Sequence, residues 1–148
     1  INWGLGAMAP WSVLGLGVLV GMLAVDAVFD FGDAVAAKSY YCTLLPSMFS
    51  FPFVLRVAIP VVFSGVCILA NLISTRSVFH VGTCLVLLLG GSPCFALSVN
   101  AVSKMCYSDL PPAMAMSTLR GTHSAMAAVF AASILLEAAG ASQKSKTQ

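Results

Sequence analysis

The sequence contains few charged residues. Only 8% of its 148 residues are Asp, Glu, Lys or Arg, whereas about a quarter of the residues in an ordinary soluble domain are charged. Seven basic and five acidic side chains cannot supply the polar surface that a soluble protein of this length needs. The net charge of +2, with no basic stripe, also argues against nucleic acid as a partner. The scarcity of charge therefore excludes an ordinary soluble domain.

The sequence also lacks the motifs of common catalytic and cofactor sites. Its five cysteines include no C-x-x-C pair, which argues against a membrane thiol oxidoreductase. Its two histidines, His80 and His123, are predicted to lie toward opposite sides of a membrane, so they cannot easily share a metal ion. No Gly-rich phosphate loop follows a strand, and no strand pattern occurs. We therefore predict no catalytic residue, no metal site and no dedicated cofactor.

Long apolar stretches make up most of the chain, of which 59% is hydrophobic. A transmembrane helix needs about 20 largely apolar residues, and the chain offers four such stretches. The sequence therefore predicts an all-α fold, a four-helix transmembrane bundle with short loops that forms a single integral membrane domain over residues 1–148. The predicted helices cover residues 11–34, 53–74, 78–103 and 114–139, and a polar tail covers residues 142–148.

Glycine and proline predict local features of these helices. Gly17 and Gly21 form a G-x-x-x-G pair, which can let a second backbone approach closely; the alternative is that transmembrane helices simply contain many glycines. Pro60 is tolerated or kinks the second helix. Gly90 and Gly91, followed by a proline, predict a bend or local unwinding in the third helix. Residues 35–52 are predicted to form an interfacial loop or a short surface helix.

Most of the intramembrane polar residues are predicted to lie toward one side of the membrane. Three aspartates at positions i, i+4 and i+7 share one helix face, and the other members come from the remaining helices. The predicted polar cluster is Asp26, Asp30, Asp33, Arg56, Asn100, Arg120 and His123. An unpaired carboxylate in lipid is costly, so we expect Asp26 or Asp30 to pair with Arg56 or Arg120. The cluster either clamps the four helices together or forms a pocket for a proton, an ion or a lipid headgroup.

A smaller polar set lies toward the opposite side. It consists of Asn71, Arg76, His80 and Glu137. We expect Glu137 to sit at the membrane interface and Arg76 to reach the headgroups. His80 and His123 are each expected to be hydrogen-bonded within the bundle, and the alternative is that either one ligates a haem or a chlorophyll singly.

Cys42 and Cys106 are both predicted to lie in loops on the same side of the membrane. They can form a disulfide if that side faces an oxidising compartment, and unpaired thiols are the alternative. The other cysteines have the character of small apolar packing residues.

One segment has a familiar pattern. Asp26-Ala-Val-Phe29-Asp30 is followed by Ala37-Lys38-Ser39-Tyr40-Tyr41. This pattern resembles a group of small, uncharacterised four-helix integral membrane proteins that carry a D-x-x-F-D element at the end of helix one and a Tyr-Tyr pair in the next loop. The resemblance implies a four-helix topology and a structural or binding role for Asp26, Phe29, Asp30, Tyr40 and Tyr41. It implies no activity.

These observations lead to two functional expectations. The first is a non-catalytic accessory subunit of a larger organellar complex, with other membrane subunits and bound lipids as partners. A respiratory complex of the mitochondrial inner membrane is favoured over a photosynthetic complex of the thylakoid. The alternative is a small transporter, or an enzyme with a lipid-soluble substrate, that uses the layer of Asp26, Asp30, Arg56 and Arg120.

Overall fold

The computed structural model describes residues 9–44, 51–75, 77–108 and 111–146, and every regular element in these ranges is helical. The elements in chain order are α1 (Ala9–Asp30), α2 (Ala34–Leu44), α3 (Phe51–Phe53), a first π segment (Val54–Ala58), α4 (Ile59–Thr75), α5 (Val78–Val86), a second π segment (Leu87–Gly91), α6 (Ser92–Tyr107) and α7 (Pro112–Lys146). The predicted all-α fold is confirmed.

Four stretches of these helices are long and apolar enough to cross a membrane. They are span 1 (Trp11–Asp30), span 2 (Phe51–Ile73), span 3 (Val78–Tyr107) and span 4 (Pro112–Ala141). Each exceeds or matches the length of about 20 residues that the hydrocarbon core requires. The four spans agree with an integral membrane protein.

Span 4 lies at the centre of the bundle. Within the described residues, α7 packs extensively against α1, α5 and α6, and α1 packs against α4. Spans 2 and 3 meet chiefly through α4 and α5, near the turn that joins them, whereas α6 packs against α7 and α2. Spans 2 and 3 therefore diverge toward the end of the bundle at which α2 lies.

The first predicted helix, 11–34, is divided in two by the structure. α1 ends at Asp30, and α2 begins at Ala34. The Asp33 side chain caps α2, because its Oδ2 accepts hydrogen bonds from the main-chain N–H groups of Val35 and Ala36 at 3.1 and 3.2 Å. Such a cap satisfies donors that the first turn of a helix leaves free. The region predicted as a loop or a short surface helix thus contains a helix.

Spans 2 and 3 each contain a π segment at the same distance before a proline. The main-chain N–H of Ile59 donates to the Val54 carbonyl, one residue before Pro60. In the same register, the N–H of Ser92 donates to the Leu87 carbonyl, one residue before Pro93. Proline lacks an N–H and clashes with the carbonyl four residues earlier, and a wider π turn relieves that clash. The local unwinding expected in the third helix is present in this form.

The last two spans are longer than predicted. α6 ends at Tyr107 rather than near residue 103, and α7 continues to Lys146 rather than ending near residue 139. The stretch predicted as a polar tail is therefore helical as far as Lys146, and residues 147 and 148 lie outside the described ranges. The prediction was wrong because it took polar residues as a sign of a non-helical tail, whereas polar residues can also continue a helix.

The glycine of span 1 that contacts another span closely is Gly15, not the predicted Gly17 and Gly21 pair. A Cβ added to Gly15 would lie 2.9 Å from the main-chain oxygen of Ser64 and 3.2 Å from Cys67 Cβ. A Cβ added to Gly17 or Gly21 would meet no described atom within 4 Å. Gly15 therefore sets the approach of span 1 to span 2, and the G-x-x-x-G pair faces outward.

We predict that Gly15→Ala lowers the thermal stability of the purified protein, whereas Gly17→Ala does not. Alanine favours the helix over glycine by roughly 1 kcal/mol at either position, but only the alanine at residue 15 overpacks the contact, at a cost of about 1–3 kcal/mol. Unfolding in detergent, followed by circular dichroism, measures both variants. Equal midpoints for the two variants would contradict the assigned contact.

Candidate intramembrane site

Asp30 is the centre of the polar cluster at the α2 end of the bundle. Its side chain is fully buried, and its Oδ1 accepts a hydrogen bond of 2.6 Å from the Tyr41 hydroxyl. Its Oδ2 is hydrogen-bonded to Nδ1 of His123, which is also buried. Two donors thus satisfy the carboxylate that ends α1, as a buried charge requires.

Arg120 binds the main chain of the same aspartate. Its Nε–H donates to the Asp30 carbonyl oxygen, one of the carbonyls that the end of α1 leaves without a helical partner. A cation at this end of a helix is also favoured by the helix dipole. The guanidinium carbon lies 5.6 Å from the centre of the Phe31 ring. Arg120 therefore caps α1 and places a positive charge beside the buried Asp30.

Asp26 lies one turn earlier on α1 and has its own phenolic partner. Its Oδ1 accepts a hydrogen bond of 3.2 Å from the Tyr40 hydroxyl, and the Tyr40 ring stacks on Phe29 with 3.8 Å between ring centres. Within the described residues, neither Asp26 nor Asp30 forms an ion pair with an arginine. The expected Asp–Arg pairs are therefore wrong: tyrosines from α2 and a histidine satisfy these carboxylates instead.

Both tyrosines remain protonated at neutral pH and act as donors. The pKa of Tyr40 is raised to about 12, mainly by burial and then by the nearby Asp26 carboxylate. The pKa of Tyr41 is also raised above its ordinary value, mainly by burial and then by the hydrogen bond to Asp30. The two phenols therefore hold α2 against α1 throughout the physiological pH range.

The other predicted members of the cluster lie elsewhere. Asp33 is exposed and caps α2, and Asn100 is exposed on α6. A polar pair that the sequence interpretation missed joins spans 3 and 4, because the Ser98 and Thr122 hydroxyls are 2.8 Å apart. Serine and threonine within an apolar helix often bond to their own main chain, so no pattern in the sequence indicates that these two side chains meet.

A second buried cluster ties the opposite end of the bundle together. His80 Nδ1 lies 2.8 Å from Oε1 of Glu137. The Asn71 amide donates to Oε2 of Glu137 at 3.3 Å and to the hydroxyl of Ser12. One side chain from each span thus takes part. Glu137 is only 9% exposed, because polar partners from two other spans, Asn71 and His80, allow it to be buried in the bundle; its position at the membrane interface stays a prediction. Arg76 lies outside the described residues.

A cavity of about 750 Å³ lies among the four spans. Its walls are mainly apolar, with side chains such as Leu19, Ile68, Phe95 and Met126. Its polar end contains Asp26, Tyr40, Tyr41, Arg56 and His123. Arg56 is itself exposed on the first π segment, whereas Asp30 and Arg120 lie behind this end and do not line it. The structure thus divides the predicted layer into residues that face the cavity and residues that support them.

The two π segments form part of the cavity wall. The first contributes Arg56 and Val57, and the second contributes Leu87, Leu88 and Gly91. Spans 2 and 3 also diverge on this side of the bundle. The wider turns before Pro60 and Pro93 therefore border the cavity, and π turns inside α-helices are frequent at functional sites.

The structure joins Cys42 of α2 and Cys106 of α6 in a disulfide. Around it, α2 packs on α6 and α7 through a buried apolar cluster that includes Ala37, Tyr41 and Met105. The cross-link holds α2, with its two tyrosines, across the polar end of the cavity. A persistent disulfide also requires that this end of the bundle face an oxidising compartment.

No metal cluster occurs in the described part of the chain, where no three His, Cys, Asp or Glu side chains come together. His80 and His123 are each hydrogen-bonded to a buried carboxylate through Nδ1. This agrees with the expectation that each histidine is hydrogen-bonded within the bundle. Ligation of a haem or chlorophyll by either histidine stays a prediction.

No family model, no characterised protein and no solved structure matches the chain. The resemblance to uncharacterised four-helix membrane proteins therefore stays a prediction. The residues that carry it do lie together, since Asp26, Phe29 and Asp30 of α1 contact Tyr40 and Tyr41 of α2.

We predict that two cysteines, Cys42 and Cys106, resist alkylation in unreduced protein. Iodoacetamide applied to the denatured, unreduced chain should modify three cysteines, because Cys67, Cys84 and Cys94 are free. After reduction it should modify all five. Intact-mass spectrometry counts the adducts, and a Cys42→Ser variant, which should show four without reduction, identifies the pair. Five adducts on unreduced wild-type protein from native membranes would exclude the disulfide there.

Proposed function

We propose that this protein binds a lipid-soluble small molecule inside the membrane, as a binding or transport protein. The cavity among the four spans is the observation that carries the proposal. Its volume of about 750 Å³ lies within the range of roughly 300–1,000 Å³ that is typical of small-molecule sites. Mainly apolar walls with a few polar groups at one end are also typical of such sites.

The shape of the cavity favours an amphipathic ligand. Apolar side chains from all four spans would contact a hydrocarbon body, since Leu19, Ile68, Phe95 and Met126 each come from a different span. The polar end, at which Asp26, Arg56 and His123 lie, would contact the head of the ligand. Divergence of spans 2 and 3 supports entry from the lipid between these two spans.

A ligand-binding function corresponds to the transporter or lipid-substrate alternative predicted from the sequence, but the polar residues have different roles. Asp26, Arg56 and His123 would face the ligand, and Asp30 and Arg120 would support them. Asp30 is held by Tyr41 and His123, and Arg120 by the Asp30 carbonyl. These contacts suit positioning residues behind a site.

We predict that Gly65→Leu removes the bound molecule without unfolding the protein. Gly65 lines the cavity, and a Cβ added there would meet no described atom within 4 Å, so the leucine should occupy ligand space. Gly121→Leu is the matched control, because that position also has open space and does not line the cavity. Mass spectrometry of organic extracts from the purified proteins should show an apolar molecule that is depleted only in Gly65→Leu. Identical extracts from both variants would contradict the proposal.

A second function, an accessory subunit of a larger membrane complex, is favoured by the outer face of span 1. Gly17 and Gly21 are exposed there, and no described atom approaches the positions of their absent Cβ atoms within 4 Å. An outward G-x-x-x-G face permits close packing of a helix from another chain. We place this complex in the mitochondrial inner membrane as a respiratory assembly, with a thylakoid complex as the second choice and with bound lipids filling its gaps.

We predict that the double change Gly17→Leu and Gly21→Leu releases the chain from its complex. Leucine at these positions blocks the approach of a partner backbone and leaves the bundle unchanged. Native electrophoresis of mild-detergent extracts, followed by mass spectrometry of the band, should show wild-type and Gly65→Leu chains in one large assembly and the double variant outside it. Migration of the wild-type chain alone would refute the accessory function and leave the binding function intact.

A further inference from the structure

His123 is a buried titratable residue that lines the cavity. Its side chain is 7% exposed, its ring contributes to the cavity lining, and Asp30 engages its Nδ1. Nε2 is the one remaining polar atom of the ring, and it has no hydrogen-bond partner among the described residues. An imidazole nitrogen of a residue that lines the cavity is thus open to a ligand.

The hydrogen bonds around Asp30 determine what this nitrogen can do. An ionised carboxylate only accepts hydrogen bonds, and Oδ1 already accepts one from Tyr41, so Nδ1 of His123 carries the hydrogen that bonds Oδ2. In a neutral imidazole the other nitrogen then presents a lone pair. With Asp30 ionised and His123 neutral, Nε2 is therefore the acceptor of a residue that lines the cavity.

The charges near the polar end favour an uncharged head on the ligand. Asp26 and Arg56 line this end, and Asp30 and Arg120 lie behind it. The formal charges of these residues sum to zero, so the site offers no net charge to offset an ionised ligand. Transfer of a charged group into an apolar interior is costly without such an offset.

We propose, building on the binding function above, that the ligand carries a hydroxyl group whose O–H donates a hydrogen bond to Nε2 of His123. The ligand class is an uncharged lipid alcohol or phenol with a long apolar body. Asp30 acts as a positioning residue, because its carboxylate fixes the tautomer in which Nε2 accepts.

Three probes of nearly equal shape test this inference. They are para-dodecylphenol, which donates through its hydroxyl, para-dodecylanisole, in which a methyl group replaces that hydrogen, and para-dodecylbenzoate, which is anionic. Affinities are measured for the full chain in lipid nanodiscs by titration calorimetry. We expect the phenol to bind wild-type protein at least roughly tenfold more tightly than the anisole, which corresponds to one lost hydrogen bond, and the benzoate to bind weakest.

Two variants assign the preference to His123 and Asp30. In His123→Phe the phenol and the anisole should bind equally. In Asp30→Asn the amide oxygen can keep the Tyr41 hydrogen bond while the amide N–H donates to Nδ1, which leaves Nε2 as a donor. Because the oxygens of both probes accept a hydrogen bond from Nε2–H, the preference should then disappear while both probes still bind, whereas structural damage would weaken the binding of both. Circular dichroism confirms that each variant is folded.

The outcomes separate this inference from the binding function. Equal binding of phenol and anisole to wild-type protein, tightest binding of the benzoate, or an unchanged preference in both variants overturns the assignment of a hydroxyl ligand but leaves the cavity as a binding site. Absence of binding by all three probes, or undiminished binding to Gly65→Leu, overturns the cavity proposal together with this inference.

Discussion

A carboxylate buried among membrane-spanning helices needs hydrogen-bond donors, and this chain supplies them with a histidine at both ends of the bundle. Asp30 with His123 closes one end, and Glu137 with His80 closes the other. Because His123 and Glu137 lie on the same helix, the two pairs are about 21 Å apart at a rise of 1.5 Å per residue. Lipid offers no water to replace a missing partner, so each pair fixes the helices that contribute to it. The two pairs thereby hold the bundle at its ends, and the packing of α7 against α1, α5 and α6 holds it between them.

This arrangement explains how an open cavity persists in so small a protein. Between the two ends, spans 2 and 3 diverge, and their π turns before Pro60 and Pro93 border the space between them. On the Asp30 side, α2 lies across the opening, held by two tyrosine hydrogen bonds and by the disulfide from Cys42 to Cys106. Polar contacts and the disulfide therefore hold the ends of the bundle, and apolar side chains line the cavity between them.

The sequence predicts the architecture more fully than it predicts the partners within it. Apolar runs separated by charges indicate four spans, because the cost of charge in lipid leaves a clear pattern. The face shared by Asp26 and Asp30 follows from helix periodicity. Their partners could not be predicted, because Tyr41 approaches Asp30 only once α1 ends and the chain folds back as α2. In the same way, the burial of Glu137 depends on Ser12, Asn71 and His80 meeting from three other spans, and no local pattern encodes such a meeting. Gly15 and Gly17 have similar sequence surroundings, and the difference between them is that span 2 packs closely against Gly15 alone.

The most direct test of this account is a crystal structure of the full chain, grown from a lipidic mesophase after purification without added ligand. The account predicts that both carboxylate–histidine pairs are formed and that elongated density occupies the cavity, with its polar end within hydrogen-bond distance of His123 Nε2. A bundle in which side chains fill this space, or in which His123 turns away from Asp30 while the fold is retained, would contradict it.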